Sequence, residues 1–153
     1  VPHYYVSHHL GSLENLAEIV ELERVSFATP WSQESLRAEI VNPLNLTTII
    51  KSQPDPDVGI LGYSLSRIIA PEAELLRIAV VPQVRHQGVG TRLIHEVVKK
   101  ILLLQVKQLY LEVSEKNRSA IALYQKTGFS IETQRPNYYD NGTTGAIIFT
   151  LKI

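Results

Sequence analysis

The chain has 153 residues, and its 15 Lys and Arg residues balance its 15 Asp and Glu residues, so the formal net charge is zero. This length supports one hydrophobic core, and we predict a single domain over residues 1–153. A neutral chain has no broad basic surface, so we expect neither nucleic acid nor a membrane as a partner. The absence of cysteine excludes a disulfide framework, a thiolate zinc site and a cysteine nucleophile.

Apolar runs in the chain are short. The longest, such as residues 101–104 and 146–149, fall far below the roughly 20 residues of a membrane-spanning helix. The start of the chain also lacks the apolar stretch of a signal peptide, so we expect a cytoplasmic protein. The histidines at positions 3, 8, 9 and 95 have no partner at metal-ligand spacing, and no metal site is predicted.

The N-terminal part of the chain is predicted to form one strand and two helices. Residues 3–9 read as a strand, and Ser12 is a suitable N-cap for a helix that should end near Phe27. The apolar side chains of that helix recur at Leu13, Leu16, Ala17 and Val20. Pro30 cannot continue the helix, so a second one is expected to begin after Ser32 and to stop before Pro43.

The middle of the chain is rich in residues that favour β-strands. Residues 46–52 and 58–70 are two such segments, and the turn-forming cluster at 53–57 lies between them. Residues 73–81 follow as a third segment. We therefore predict three consecutive antiparallel strands.

A change of period marks the second half of the chain. From Gly88 onwards, apolar side chains recur at the spacing of a long amphipathic helix, at Val89, Leu93, Val97 and Ile101. Asn117 and Gly128 delimit a further helix. Strands are predicted at residues 107–114, 129–139 and 145–153. The order β-α-α-β-β-β-α-β-α-β-β predicts an α+β fold around one mixed central sheet.

The stretch RHQGVG, from Arg85 to Gly90, lies where a strand turns into the long helix. N–H groups at a helix start lack intrahelical acceptors and favour an anion such as a phosphate. A P-loop needs a lysine where Thr91 stands, and a dinucleotide loop needs a third glycine where Leu93 stands. Glu112 does lie at a suitable distance for a ribose contact, and an ordinary strand-to-helix turn also accounts for the glycines.

Arg85, Gly88 and Gly90 also satisfy the pattern Arg-x-x-Gly-x-Gly, and further motifs accompany it in order. FATPWS and LLRIAVVP precede the turn, and LYLEVSEKN, AIALYQKTGF and RPNYY follow it. Together these motifs resemble the GNAT superfamily of acetyl-CoA-dependent N-acetyltransferases. Within that superfamily they resemble the RimI-like enzymes, which acetylate the N-terminal alanine of a ribosomal protein. The resemblance implies the GNAT fold, with helices on both faces of the sheet, and acetyl-CoA as the cofactor.

The resemblance also assigns the residues that would bind the cofactor. The backbone of Ile78, Ala79 and Val80 would pair with the pantetheine amides, and Asn117 would contact the cofactor. Arg85 begins the motif that binds the pyrophosphate. The residues that would wrap the pyrophosphate are His86, Gln87, Gly88, Val89, Gly90 and Thr91.

By the same resemblance, Glu112 is the general base and Tyr124 is the general acid that protonates the departing sulfur. Judged on strand alternation alone, Glu112 faces away from the apolar side of its strand and is more typical of a solvent-facing glutamate. Tyr124 lies on the same predicted helix as Ala120, Ile121 and Leu123, and it is equally typical of a core aromatic. Trp31, Tyr138 and Tyr139 would line a narrow slot that admits a chain end and excludes a mid-chain lysine. Each of the three is also typical of a core or rim aromatic.

Two positions depart from the RimI-like pattern. Gly145 stands where many members carry an acidic residue, and Pro136 precedes Asn-Tyr-Tyr where bacterial members often have another residue. The RPNYY form also resembles the N-terminal acetyltransferases of eukaryotes and archaea. These departures bear on the identity of the acceptor more than on the chemistry.

The sequence thus predicts direct acetyl transfer from acetyl-CoA to the N-terminal α-amine of a protein, with a ribosomal protein as the expected substrate. Direct transfer is expected because no cysteine can carry the acetyl group. Three alternatives remain open: another amine acceptor such as an internal lysine or a polyamine, a non-catalytic CoA-binding sensor or subunit, and a nucleotide-binding module. A panel of amines, and titration with CoA beside ATP or NAD, would separate them.

Overall fold

A computed structural model describes residues 3–153, which contain seven strands and four α-helices in the predicted order. The strands are β1 (Tyr5–His9), β2 (Asn45–Lys51), β3 (Gly62–Ile69), β4 (Glu72–Val80), β5 (Gln108–Ser114), β6 (Ser130–Tyr139) and β7 (Thr144–Lys152). The helices are α1 (Leu16–Ser26), α2 (Gln33–Ile40), α3 (Val89–Leu103) and α4 (Arg118–Lys126). Short 3₁₀ turns occupy Pro82–Val84 and Asp140–Gly142.

The strands form one mixed sheet in the order β1-β2-β3-β4-β5-β7-β6. β1 to β4 are antiparallel neighbours, whereas β4 and β5 are parallel, and β7 pairs antiparallel with both β5 and β6. Parallel neighbours require a crossover, and α3 provides it between β4 and β5. The predicted α+β fold with a mixed central sheet is confirmed.

Helices pack on both faces of this sheet. On one face, α3 and α4 bury an apolar cluster that includes Ile94, Val97 and Phe149. On the other face, α1 and α2 bury a second cluster around Ile19 and Leu36 against β2, β3 and β4. Within residues 3–153, no helix combines the length and the apolar composition needed to cross a bilayer.

The first helix begins later than predicted. α1 starts at Leu16 with Asn15 in the N-cap position, whereas Ser12 Oγ accepts a hydrogen bond from Glu14 N at 3.3 Å. The prediction that Ser12 caps this helix was therefore wrong. The apolar row was also misplaced because Ala17 is exposed, and burial instead follows a helical period that starts at Leu16. The buried residues are Leu16, Ile19, Leu22 and Glu23.

Other predicted helix boundaries are confirmed. The side chain of Ser32 caps α2 by accepting a hydrogen bond from Ser35 N at 3.1 Å. The side chain of Asn117 caps α4 in the same way, and Gly128 ends that segment with a φ of +99°. The predicted apolar row of α3 is buried along its whole length, at Val89, Leu93, Val97 and Ile101.

Candidate active site

β4 and β5 diverge, and their divergence opens a gap at the centre of the sheet. The two strands pair over Glu72–Leu75 and Gln108–Leu111, after which β4 continues to Val80 away from β5. The register between β3 and β4 shifts between Leu65 and Ser66, close to the point of divergence. A β-bulge bends a strand in this way, so the irregularity accounts for the gap.

The backbone of β4 beyond this point presents hydrogen-bonding groups to the gap. Val81 N donates to Leu61 O on the β3 side at 2.9 Å, and backbone groups of successive residues in an antiparallel strand point to alternate sides. The backbone groups of Ile78 and Val80 therefore point toward the gap. Those of Ala79 point toward β3, so of the three predicted pantetheine residues Ala79 is the one placed on the opposite edge.

The glycine turn at the end of this strand has the backbone geometry of an anion site. His86 and Gly88 both adopt left-handed conformations, with φ of +62° and +88°. The first intrahelical bond of α3 runs from Arg92 N to Gly88 O at 3.0 Å. The N–H groups of residues 89–91 therefore lack i−4 carbonyl partners and lie at the positive end of the helix dipole.

The two glycines of the motif have different surroundings. A Cβ at Gly88 would meet no atom within 4 Å, so the space beside this residue is open to a ligand. At Gly90 a Cβ would lie 3.1 Å from Leu123 Cδ2, which shows that α3 and α4 approach closely there. Gly90 thus brings α4 up to the start of α3.

Two of the predicted cofactor residues use their side chains within the protein. Arg85 donates from Nε to Val80 O at 2.8 Å and from Nη2 to Ser26 Oγ at 3.0 Å, which ties the glycine turn to β4 and α1. The Asn117 side chain accepts from Ala120 N at 3.2 Å as a helix cap. Their contacts with a cofactor stay predictions.

Glu112 lies on the exposed face of β5, and the structure places it against Tyr139. The Tyr139 hydroxyl donates to Glu112 Oε1 at 2.5 Å, and Tyr138 packs edge-on against Tyr139 with ring centroids 5.0 Å apart. Burial, followed by the hydrogen bond to Glu112, raises the pKa of Tyr139 well above its ordinary value. Tyr139 is thus a neutral phenol that donates to the carboxylate at neutral pH.

Tyr124 lies in the hydrophobic core on the opposite face of the sheet. Its ring therefore has the position expected of a core aromatic. Its ring centroid is 5.6 Å from that of Phe129 and 5.9 Å from that of Phe149. Burial raises the pKa of the Tyr124 hydroxyl to about 12, and the positive charge of Arg77 opposes this shift. The hydroxyl therefore keeps its proton at neutral pH, as a general acid must.

A groove borders Glu112, and a separate cavity lies beside α2. The groove has a volume of about 340 Å³, and the cavity, which Trp31 lines, about 410 Å³. Arg67 lines both of them. In the described part of the chain, no group of three or more His, Asp or Glu side chains is placed to hold a metal ion.

A buried ion pair beside Trp31 was not predicted from the sequence. Glu23 is fully buried, forms an ion pair with Arg77 and accepts a hydrogen bond from the Tyr63 hydroxyl. A signal was present, since Glu23 lies on the apolar row of α1 and Arg77 interrupts the apolar stretch LLRIAVV. Charged residues in such positions are almost always paired.

Comparison with known proteins agrees with this geometry. Residues 16–129, more than half of the chain, match the Acetyltransferase (GNAT) family. The chain belongs to the acetyltransferase (GNAT) family. The resemblance stated from the motifs is confirmed, and so is the prediction of an acyltransferase.

Relatives within the GNAT family are similar to the chain over nearly its whole length. The [ribosomal protein bS18]-alanine N-acetyltransferase of Escherichia coli K12 is 30% identical over 148 residues, covering 94% of this chain and 97% of the relative. The enzyme of that name from Salmonella typhimurium is 31% identical, covering 93% and 94%. The crystal structure of the ribosomal-protein-S18-alanine N-acetyltransferase from Escherichia coli has a TM-score of 0.86 and 29% identity, covering 99% of this chain and 94% of that one.

Acetyl-CoA is the acetyl donor of GNAT enzymes, and the prediction of this cofactor is confirmed at the level of the family. The residues present fit such a ligand. Beyond Leu75 the edge of β4 that faces the gap pairs with no other strand, although Val80 O accepts from Arg85 Nε, and the open space at Gly88 adjoins the N–H groups at the start of α3. A pantetheine chain can pair with such a strand edge, and a pyrophosphate can bind such N–H groups.

Substitution of Gly88 by alanine should weaken binding of coenzyme A by about tenfold, or roughly 1.4 kcal/mol. Alanine in the left-handed region costs about 1–2 kcal/mol, and relief of that strain would turn the α3 amides away from the ligand. Calorimetric titration with coenzyme A measures the effect. Gly11→Ala is the matched control because Gly11 has a φ of +78° and also no neighbour within 4 Å. Equal affinities in both variants would contradict the assignment of the turn.

Substitution of Tyr124 by phenylalanine should reduce the decrease in the free energy of unfolding that occurs as the pH rises into the alkaline range. The pKa of Tyr124 is raised in the folded state, so its contribution is fully present below the unfolded value near 10 and is lost as pH rises toward about 12. A shift of this size corresponds to roughly 3 kcal/mol. Urea unfolding between pH 9 and 11 tests this, and an identical pH dependence in wild type and variant would refute it.

Proposed function

We propose that this enzyme acetylates the N-terminal alanine of ribosomal protein bS18. Two relatives that cover over nine-tenths of the chain bear that activity in their names, and this similarity supports the substrate. The main structural observation behind the proposed site is the 2.5 Å hydrogen bond from the Tyr139 hydroxyl to Glu112, which borders an open groove. The similarity to these relatives and this arrangement of side chains together favour an N-terminal amine as the acceptor.

Glu112 acts as the general base in this proposal. Acetyl-CoA, when bound along β4, supplies the acetyl thioester. The amine nitrogen forms the new C–N bond as the C–S bond breaks, and the amine proton passes to the Glu112 carboxylate directly or through one water. An N-terminal amine has a pKa near 8 against about 10.4 for lysine, so its deprotonation is easier by about 3 kcal/mol. A carboxylate base is suited to that lower demand.

Tyr124 acts as the general acid that protonates the departing sulfur. Its hydroxyl keeps a proton at neutral pH because burial raises its pKa to about 12. Arg77 places a positive charge near this hydroxyl and so favours release of the proton when sulfur takes it. Glu112 and Tyr124 lie on opposite faces of the sheet, so in this proposal the thioester lies in the gap where β4 leaves β5, between the two residues.

The aromatic residues predicted to bind the acceptor lie beside Glu112 or beside α2. Tyr139 contacts Glu112, Tyr138 packs on Tyr139 and is half exposed, and Trp31 lines the cavity beside α2. We infer that they enclose the first residues of the acceptor. A chain end fits such an enclosed site, whereas a mid-chain lysine would carry two peptide arms into it.

An acetylation assay with a bS18 N-terminal peptide tests the proposal. Incubated with acetyl-CoA, the peptide should gain the mass of one acetyl group less that of the hydrogen it replaces at the α-amine, and one equivalent of the CoA thiol should be released. The matched control is the same peptide with a blocked N-terminus and its lysines free. Acetylation of the blocked peptide, or acetylation of polyamines at a higher kcat/KM than the bS18 peptide, would show that the enzyme acts on another amine. Binding of acetyl-CoA without turnover of any amine would indicate a sensor.

A further inference from the structure

A buried carboxylate lies beneath the segment that joins α1 and α2. Glu23 accepts hydrogen bonds from Arg77 on β4, from the Tyr63 hydroxyl on β3 and from Trp31 N at 3.0 Å. Its side chain has no exposed surface, and a buried charge is strongly unfavourable unless such partners compensate it. One carboxylate thus joins a helix, two strands and the segment at residues 27–31.

Arg77 connects this carboxylate to two aromatic rings. Its guanidinium carbon lies 3.7 Å from the centroid of the Phe27 ring and 5.1 Å from that of Trp31. Both distances fall within the range over which a cation is attracted to an aromatic ring. The joining segment, residues 27–31, is therefore held against β4 by Arg77.

The charge of the same guanidinium also acts on the candidate active site. It opposes the rise that burial causes in the pKa values of the Tyr124 and Tyr139 hydroxyls. Arg77 Nε is buried and has no hydrogen-bond partner among the described residues. Arg77 thus contacts the aromatic segment directly and acts on the two tyrosines through its charge.

We propose that Arg77, held by Glu23, is a positioning residue that fixes Phe27 and Trp31 as the wall of the acceptor site opposite Tyr139. This inference rests on the proposed function, because the wall serves the N-terminal acceptor. Arginine suits the role because a planar guanidinium binds a carboxylate through its edge while its face stacks on a ring, which a lysine ammonium cannot do. Loss of the pair weakens acceptor binding and leaves acetyl-CoA binding unchanged.

Kinetics of Glu23→Gln beside Glu21→Gln test this role. Glu23 and Glu21 lie two positions apart on α1 and both pair with an arginine, but the Glu21 pair with Arg24 is exposed. Glu23→Gln should raise KM for the acceptor peptide by about tenfold, the effect of losing one charge-assisted hydrogen bond, with KM for acetyl-CoA within about twofold of wild type. Glu21→Gln should match wild type in both constants.

Fluorescence of Trp31, the single tryptophan of the chain, provides a readout that does not depend on turnover. Iodide should quench Trp31 more strongly in Arg77→Lys than in wild type, since the ring is released from its cation. The matched control is Arg24→Lys, which replaces an exposed arginine of α1. In this variant iodide should quench Trp31 to the same extent as in wild type. Circular dichroism establishes that each variant is folded, and Arg77→Lys serves if Glu23→Gln does not fold.

Three outcomes would overturn the positioning role. In the first, Glu23→Gln raises KM for the peptide and KM for acetyl-CoA equally. In the second, Glu23→Gln and Arg77→Lys are both folded and keep the wild-type KM for the peptide. In the third, iodide quenches Trp31 in Arg77→Lys to the same extent as in wild type. Failure of the proposed function is separate, because it would leave wild type inactive on the bS18 peptide. The Trp31 quenching comparison would still decide whether Arg77 holds the wall.

Discussion

Glu112→Gln should lower kcat for the N-terminal alanine peptide by about 10²-fold, the usual contribution of a general base. Glutamine keeps the shape of the side chain and can still accept the hydrogen bond from Tyr139, but it cannot take a proton from the amine. KM for acetyl-CoA should change little, because Glu112 lines the groove that the proposed function assigns to the acceptor. Steady-state kinetics with saturating acetyl-CoA measure the change.

Glu132→Gln is the control for this prediction. Glu132 is also an exposed strand glutamate, and it lies on β6. It shows the effect expected if Glu112 were only a solvent-facing glutamate, the interpretation that strand alternation left open. It should keep the wild-type kcat. If Glu112→Gln retains wild-type kcat as well, Glu112 is not the base, although the fold and the cofactor site would stand.

Tyr124→Phe should lower kcat by about 10²-fold as well, because the thiolate would leave without a proton from the protein. The substitution removes one oxygen from a buried ring that packs on Phe129 and Phe149, so the fold should persist. An acetyl donor with a more acidic thiol needs less help from an acid. The defect should therefore shrink with such a donor, and presteady-state mixing with both donors measures the ratio.

Tyr5→Phe is the matched control, since Tyr5 is half exposed on the edge strand β1. The Tyr5→Phe variant should have the wild-type kcat with either acetyl donor. A Tyr124→Phe defect of the same size for both donors would mean that Tyr124 contributes packing rather than a proton. In the double variant with Glu112→Gln, a combined loss well below the product of the single losses would indicate that both residues serve one step.

Much of the fold could be predicted because its signals are local. The burial of Val89, Leu93, Val97 and Ile101 follows from a 3.6-residue period, and the caps at Ser32 and Asn117 follow from side chains that reach the N–H group three residues on. The start of α1 was mispredicted for a related reason. Ser12 is a good cap by type, but its hydroxyl bonds to Glu14 N in a turn, and burial against the sheet selects Leu16 as the first helical residue.

The candidate site was predictable only where a motif is contiguous in the chain. The turn from Arg85 to Gly90 could be predicted as an anion site from helix-terminus chemistry, and the left-handed conformation of Gly88 is compatible with that prediction. The role of Arg85 differs from the simple expectation, since its guanidinium bonds to Val80 O and Ser26 Oγ. Ser26 is 59 positions away, a separation that no local pattern reports.

The sequence by itself determined the order of elements, the caps of α2 and α4, the glycine turn and the membership of the GNAT family. These follow from short-range periodicity, backbone conformation and contiguous motifs. The tertiary structure alone decided which residues meet: the Tyr139 hydroxyl at Glu112, the Glu23 carboxylate at Arg77, and the gap between β4 and β5. Such contacts join residues distant in the chain, and they depend on sheet register and strand bending, which no single segment encodes.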